Sequence, residues 1–175
     1  MLCRKEAVSF NKLTFKNLVV EELIKRAKEK GIDVEDVLLR EIAKNDPQEG
    51  IKLRLEIAEK YMNEAYDYLK KGDSIQASEK AYKVAEEVVK ALAEKFNISE
   101  YKQASAEGRW YTYLLASATN ELSMRLGDWV ADGWNAGYVL HVWGFHEGKL
   151  SVDKITVNVE KVKKMLEKAK SVLMP

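Results

Sequence analysis

The sequence is poor in the residues that crosslink chains, interrupt helices or bind metals. Its 175 residues include one cysteine, two prolines and two histidines. The single cysteine, Cys3, excludes an intrachain disulfide framework and a cysteine-based zinc cluster within one chain. Pro47 and Pro175 both lie at natural breaks, so no predicted helix is interrupted by proline. These shortages favour long helices and a reducing environment.

Long apolar runs and an excess of one charge are also missing. No stretch approaches the roughly 18 apolar residues that are needed to cross a bilayer. The segment Met1–Glu6 has no apolar run that could serve as a signal peptide. The sequence has 29 lysine and arginine residues and 28 aspartate and glutamate residues, so the formal net charge is only +1. The overall charge therefore does not attract the protein to nucleic acid or to a membrane surface. We therefore expect a cytoplasmic protein without a membrane partner.

The motifs of several common chemistries are absent from the sequence. There is no glycine-rich nucleotide loop of the GxxxxGK[ST] or GxGxxG type and no HExxH zinc motif. A GxSxG nucleophile elbow is missing as well. From these absences we expect neither a cofactor nor a metal site.

Helical periodicity is the strongest positive signal. In two long segments the apolar residues recur at alternating spacings of four and three, which is typical of a helix-packing seam. The first segment follows Asp46 and Pro47, an N-terminal cap and a first-turn proline, and the second follows Ser151. The two seams consist of Ile51, Leu55, Ala58, Met62, Ala65 and Leu69, and of Val152, Ile155, Val159, Val162, Leu166, Ala169 and Leu173.

Glycines and capping residues divide the remainder into further helices. Gly31 and Asp33 separate two short N-terminal helices, and Gly72 with Asp73 leaves a link so short that helices three and four must form an antiparallel hairpin. Two more helices are predicted over about 107–126 and 128–145, the second broken or frayed at its glycines. The sequence therefore predicts an all-α, antiparallel up-and-down helical bundle of four to five long helices over residues 46–175. An N-terminal arm and a short helical hairpin occupy residues 1–45.

The segment from Trp110 to His146 holds all four tryptophans and both histidines. His141 and His146 are therefore the candidates for histidine acid–base catalysis, with Glu121 as a candidate partner. Five residues on a regular α-helix rotate a side chain by ~140°, so we expect the two histidines to face different directions unless Gly144 ends the helix between them. The alternative is a structural role, with one histidine in the core or an interface and the other capping a helix.

The same segment also suggests a ligand site. Aromatic side chains stack on bases and ring ligands, and arginines near the ends of the predicted fifth helix could bind phosphate. The candidate ligand-binding residues are Arg109, Trp110, Arg125, Trp134, Tyr138 and Trp143. The alternative is that the aromatics form the core or a dimer interface, because Gly133 and Gly137 would let another helix approach closely.

The N-terminal segment offers a separate interpretation. A short alternation around Leu13 and Phe15, followed by two short helices, is similar in order and length to a ribbon-helix-helix DNA-binding module. In that case Lys12, Thr14 and Lys16 would read the major groove. A packing or dimerisation arm at the edge of the bundle would have the same pattern.

Three stretches of the chain form a distinctive combination: Gly72–Glu86, Gly108-Arg-Trp110 and Leu140–Glu147. Taken together they resemble the PaREP family of archaeal proteins, and the resemblance extends over about residues 51–173. The resemblance implies a fold like that of HEPN domains (higher-eukaryote and prokaryote nucleotide-binding), which are helical bundles that often dimerise. Many HEPN domains are metal-independent RNases of toxin–antitoxin systems, and others are non-catalytic modules.

The nuclease members carry an arginine separated from a histidine by four to six residues. The corresponding positions are 134–136 ahead of His141 and 139–141 ahead of His146, and none of them is arginine. The leading hypothesis is therefore a non-catalytic binding or assembly module that forms a homodimer. The alternative is an RNA- or nucleotide-processing enzyme or toxin–antitoxin component that uses these histidines, with a nucleotidyltransferase as its protein partner.

Overall fold

The computed structural model of the protein describes residues 18–174, and every regular element within that range is helical. The elements are α1 (residues 18–29), α2 (Val34–Asn45), α3 (Pro47–Lys70), α4 (Ser74–Lys95), α5 (Ser99–Glu107), α6 (Thr112–Leu126), α7 (Trp129–Val139), a π-helical segment (Leu140–His146) and α8 (Val152–Leu173). The predicted all-α fold is confirmed. Lys12, Thr14 and Lys16 lie outside the described residues.

The described residues divide into two compact units, 18–38 and 39–174, with the division inside α2. In the first unit α1 ends at a turn in which Gly31 has a positive φ of 70°. The backbone N–H of Asp36 then donates to Asp33 Oδ1 at 3.1 Å, which caps the start of α2 as the sequence predicts. The predicted boundary after residue 45 coincides with the end of α2 and stays a prediction.

In the second unit, α3 and α4 form the predicted antiparallel hairpin. Asp46 caps α3 by accepting from the N–H of Glu49 at 3.1 Å, and Asp73 caps α4 by accepting from the N–H of Gln76 at 3.0 Å. Between the two helices Gly72 has a φ of 76°, a left-handed conformation that glycine adopts without strain. Local chemistry therefore sets both ends of this turn.

Helix α4 lies at the centre of the bundle. It packs against α3, α6, α7, α8 and the π-helical segment, and all residues from Glu87 to Glu94 are buried. Two turns buried on every side distinguish a central helix from an amphipathic surface helix. The predicted seams of α3 and α8 form the surrounding core, since every seam residue except Leu69 and Val152 is buried.

A cluster of buried charges joins α3 to α4. Arg54 Nη1 donates to Glu87 Oε2 at 2.8 Å, and its Nε lies 3.4 Å from Glu94 Oε2. Lys90 Nζ donates to the second oxygen of Glu87 at 2.8 Å. Two positive and two negative charges balance here, which is the condition under which buried ions are tolerated. Sequence periodicity did not predict this cluster.

The predicted fifth helix is wrong at its start. Residues 99–107 form a separate helix, α5, which ends at Gly108 with a φ of 76°. Helix α6 begins only at Thr112, so Arg109 and Trp110 lie in the connection and not in a helix. The physical reason is the left-handed glycine, which terminates an α-helix because its backbone cannot continue the right-handed turn.

Candidate functional site

Helix α7 continues directly into the π-helical segment, and three glycines hold this continuous element against the core. A Cβ on Gly137 would lie 2.7 Å from the Cβ of Ala85, and one on Gly144 would lie 2.7 Å from the Cβ of Ser78. Gly133 lies equally close to Met165 on α8. Real Cβ atoms do not approach so closely, so this close packing requires glycine at each of the three positions. The interpretation of Gly133 and Gly137 as points of close helix packing is confirmed.

The π-helical segment changes the relation between the two histidines. A π-helix forms i→i+5 hydrogen bonds, so its turn is wider than that of an α-helix. Two side chains five residues apart therefore lie near the same side of the helix. The Nε2 atoms of His141 and His146 lie 3.2 Å apart. The expectation that they face different directions was wrong, because it assumed α-helical geometry through residue 146. Gly144, which could have ended the helix, instead lies within the π-helical turn.

His141 belongs to a group of six ring side chains. We call this group the histidine–aromatic cluster; its members are Tyr82, Trp134, Tyr138, His141, Phe145 and His146. The ring of Tyr82 stacks on that of His141 with centroids 4.0 Å apart and an interplanar angle of 27°. Tyr82 and Trp134 are buried, His141 is half-buried, and Tyr138 and His146 are exposed. The cluster therefore extends from the core to the surface.

The pKa of His141 is lower than that of an ordinary histidine. Burial is the main cause, and the positive charges of His146 and Lys83 act in the same direction, while the carboxylate of Glu86 opposes them. Burial and Glu86 raise the pKa of the Tyr82 hydroxyl, so Tyr82 stays neutral. At neutral pH the inner part of the cluster thus contains a neutral imidazole stacked on a neutral phenol.

Tyr82, Lys83 and Glu86 were not predicted as site residues. All three lie on α4, within the stretch Gly72–Glu86 that carries part of the family resemblance. The structure brings this stretch against the π-helical segment, which is another of the three stretches. That shared resemblance was the signal that could have linked Tyr82 to the histidines before the fold was known.

The remaining candidate residues lie on α6 or just before it. The guanidinium of Arg109 lies 4.3 Å from the ring centroid of Tyr111, and Trp110 packs partly buried against the core. Glu121 accepts a hydrogen bond from Arg125 Nε at 2.8 Å on the surface of α6. The carboxylate whose charge acts on His141 is therefore that of Glu86 rather than Glu121.

Trp143 is the most exposed of the candidate aromatic residues whose side chains lie on the α7–π element. Its side chain is 52% exposed, while Tyr138 is 44% exposed and Trp134 is only 4% exposed. Over residues 18–174, no group of three or more histidine, cysteine, aspartate or glutamate residues is arranged to hold a metal ion. No helix in the same range has the length and apolar character that a membrane crossing requires.

Comparison with known proteins places this architecture in a family. The family model described as the archaeal PaREP1/PaREP8 family matches residues 53–166, which include the whole histidine–aromatic cluster. No curated protein matches the chain.

Two solved structures are similar to the chain. A crystal structure of a protein from Sulfolobus solfataricus is 36% identical, with a TM-score of 0.61, and the match covers 66% of this chain and 95% of that one. A solution structure of the same structural-genomics target, the Orf c02003 protein, is 35% identical, with a TM-score of 0.59 and coverages of 66% and 90%. The chain belongs to the archaeal PaREP1/PaREP8 family.

Proposed function

We propose that this protein is a non-catalytic binding and assembly module that forms a homodimer through the outer surface of α7 and the π-helical segment. The observation that supports the proposal is the division of this element into two sides. Gly133, Gly137 and Gly144 pack inward, while Trp143 is 52% exposed. A tryptophan left half in water on an otherwise well-packed element is typical of an interface anchor. The HEPN-like character of the fold is part of this proposal.

The charge distribution along the chain also supports this surface as the dimer interface. Charged residues make up 33% of the sequence, but the segment 129–148 contains only two, Asp132 and Glu147. Tyr138 and Val139, on the same continuous element, add exposed apolar area. Interface cores are depleted in charge and enriched in aromatic side chains, whereas a solvent-facing helix normally carries lysine and glutamate. A second copy of the chain, related by a two-fold axis, would cover this surface with an identical one.

The experiment is a measurement of molar mass by light scattering over a range of concentrations. We expect the unmodified protein to be a dimer and the Trp143→Lys variant to be a monomer, because a buried, unpaired lysine opposes association. The matched control is Tyr113→Lys. Tyr113 is 59% exposed, but it stacks on Tyr111 at the start of α6 and lies on neither α7 nor the π-helical segment. A monomeric unmodified protein, or an unchanged mass in Trp143→Lys, would overturn the proposal.

A second candidate function is acid–base chemistry on RNA or a nucleotide. The separation of 3.2 Å between the Nε2 atoms of His141 and His146 favours it, because one neutral and one protonated imidazole can act as base and acid in one reaction. The test is cleavage of a single-stranded RNA oligonucleotide in the presence of EDTA. Activity must be lost in both His141→Gln and His146→Gln and retained in Lys70→Ala, a change at an exposed residue that pairs with Asp67. No cleavage by the unmodified protein would exclude this function.

Two predicted partners remain hypotheses beside these functions. A nucleotidyltransferase partner would be detected by co-purification of the two proteins after co-expression. DNA binding through Lys12, Thr14 and Lys16 would be detected as retention on DNA that falls steeply as salt is raised. Failure to bind at low salt would remove the DNA hypothesis.

A further inference from the structure

We propose that His141 and His146 together bind one divalent transition-metal ion, such as Zn²⁺, Ni²⁺ or Cu²⁺, through their Nε2 atoms. The proposal rests on the separation of 3.2 Å between these two nitrogens. Two imidazole nitrogens bound at about 2.0–2.1 Å to a tetrahedral zinc ion lie roughly 3.3 Å apart. The two side chains therefore already have the spacing of neighbouring ligands on one ion.

The two rings do not form a linear hydrogen bond with each other. The ring planes are at 79°, the ring centroids are 4.4 Å apart and the nitrogens are 3.2 Å apart. In a linear hydrogen bond each nitrogen would project directly toward the other, so the centroids would be farther apart than this. A shared ion requires only small rotations of the two side chains that direct both nitrogens onto it.

The fold holds His141 in place before any ion arrives. Its ring stacks on the buried ring of Tyr82, and Gly144, between the two histidines, is packed against Ser78. The π-helical backbone returns His146 to the same side. Because the ordering of the inner ligand is already complete in the free protein, binding loses less conformational entropy than it would on a flexible loop.

The donor chemistry selects the class of ion. Neutral imidazole suits zinc, copper and nickel, whereas magnesium and calcium prefer oxygen donors. Since no third ligand is arranged among residues 18–174, the ion would keep open positions for water or an external ligand.

This inference goes beyond the proposed homodimer and does not depend on it. Both ligands come from one chain, so a monomeric Trp143→Lys variant should bind the ion as well as the unmodified protein does. If that variant is monomeric and still binds, both proposals stand. If the unmodified protein binds but is never a dimer, only the assembly proposal fails.

The experiment is calorimetric titration of untagged protein with Ni²⁺ and Zn²⁺ in a Cys3→Ser background, which removes the only thiol. We expect one ion per chain and a loss of affinity of at least about tenfold in either His141→Gln or His146→Gln. The matched control is Glu147→Gln, which neutralises the exposed carboxylate next to His146 and should leave affinity unchanged. Mg²⁺ should not bind.

A second measurement avoids substitution of the ligands. The chain has only two histidines, so their Cε1–H signals are resolved in a proton NMR spectrum. Substoichiometric Ni²⁺ should broaden both signals together. Binding that persists in both histidine variants, broadening of one signal alone, or no binding of either ion would overturn the proposal.

Discussion

Gly137 on α7 lies directly against Ala85 on the central helix α4, so that a Cβ on Gly137 would be 2.7 Å from the Cβ of Ala85. Both Cβ atoms would be bonded directly to helical backbones, so neither could move aside as the end of a long side chain can. The helices α7 and α4 can therefore approach this closely only because residue 137 has no side chain. This glycine serves packing within the chain.

The Gly137→Ala variant should consequently be less stable than the unmodified protein. Alanine gains up to about 1 kcal/mol of helix propensity over glycine, but forcing two packed helices apart costs about 1–3 kcal/mol. We expect a net decrease in the free energy of unfolding, measured by chemical denaturation, without a change in molar mass. The control is Asn135→Ala, an exposed site on the same helix, which should be neutral or stabilising. Equal stability of the two variants would contradict the packing argument.

The buried charge cluster should be sensitive to the loss of Arg54. This side chain is 1% exposed and contacts both Glu87 and Glu94, so Arg54→Ala leaves two buried carboxylates beside the single positive charge of Lys90. We expect the free energy of unfolding to fall by roughly 3–5 kcal/mol. The control is Arg125→Ala, which breaks a surface pair with Glu121 and should change stability by less than about 1 kcal/mol. If the two variants lost similar amounts of free energy of unfolding, burial of the ion pair would not explain the loss.

The same cluster should make the protein sensitive to acid. Burial alone would raise the pKa of Glu87, but the charges and hydrogen bonds of Lys90 and Arg54 outweigh it and lower the pKa from 4.5 to about 2. Because the folded pKa is the lower one, the stabilisation is complete above pH 4.5 and is lost as pH falls toward 2. Urea denaturation across this range should show a steeper decline for the unmodified protein than for Glu87→Gln. A control variant, Glu121→Gln, should retain the steep decline.

The titration of His141 can be followed by NMR without ambiguity, because the chain has two histidines. We expect His141 to titrate below the ordinary value of 6.5, since burial and the neighbouring His146 disfavour its charged form. Its contribution to stability is present above that value and is lost as pH falls through the lower, folded pKa. The His146→Gln variant should raise the pKa of His141, and Glu86→Gln should lower it further. A measured pKa of His141 at or above 6.5 would contradict the conclusion that burial and His146 disfavour its charged form.

Local sequence patterns were sufficient to predict the helices that have a clear apolar seam or a capping residue. Helices α3 and α8 have apolar seams, and the turn between α3 and α4 has a capping aspartate and a left-handed glycine. These features depend on residues within four or five positions of one another, so they can be recognised without knowledge of the partner surface. The connection before α6 has no such signal, since the pattern predicts a helix through Gly108, whereas this glycine adopts a left-handed conformation.

The histidine–aromatic cluster could be predicted only as a region. The concentration of tryptophan, histidine and glycine in one segment identified the element, and the absence of arginine at the expected positions weakened the nuclease hypothesis. Which side chains meet was decided by contacts between distant segments. Tyr82 reaches His141 only because α4 is central, and the two histidines meet only because the backbone becomes π-helical where Gly144 packs against Ser78.

Periodicity, caps and composition thus determined that the chain folds into helices, where most of them begin, and which faces are apolar. The tertiary structure alone decided the partners of the buried charges and the meeting of His141 with His146. The physical reason is the range of the interactions. Helix formation and capping act within a turn or two, whereas a π-helical turn and a buried ion cluster are marginal or costly unless packing from other helices stabilises them.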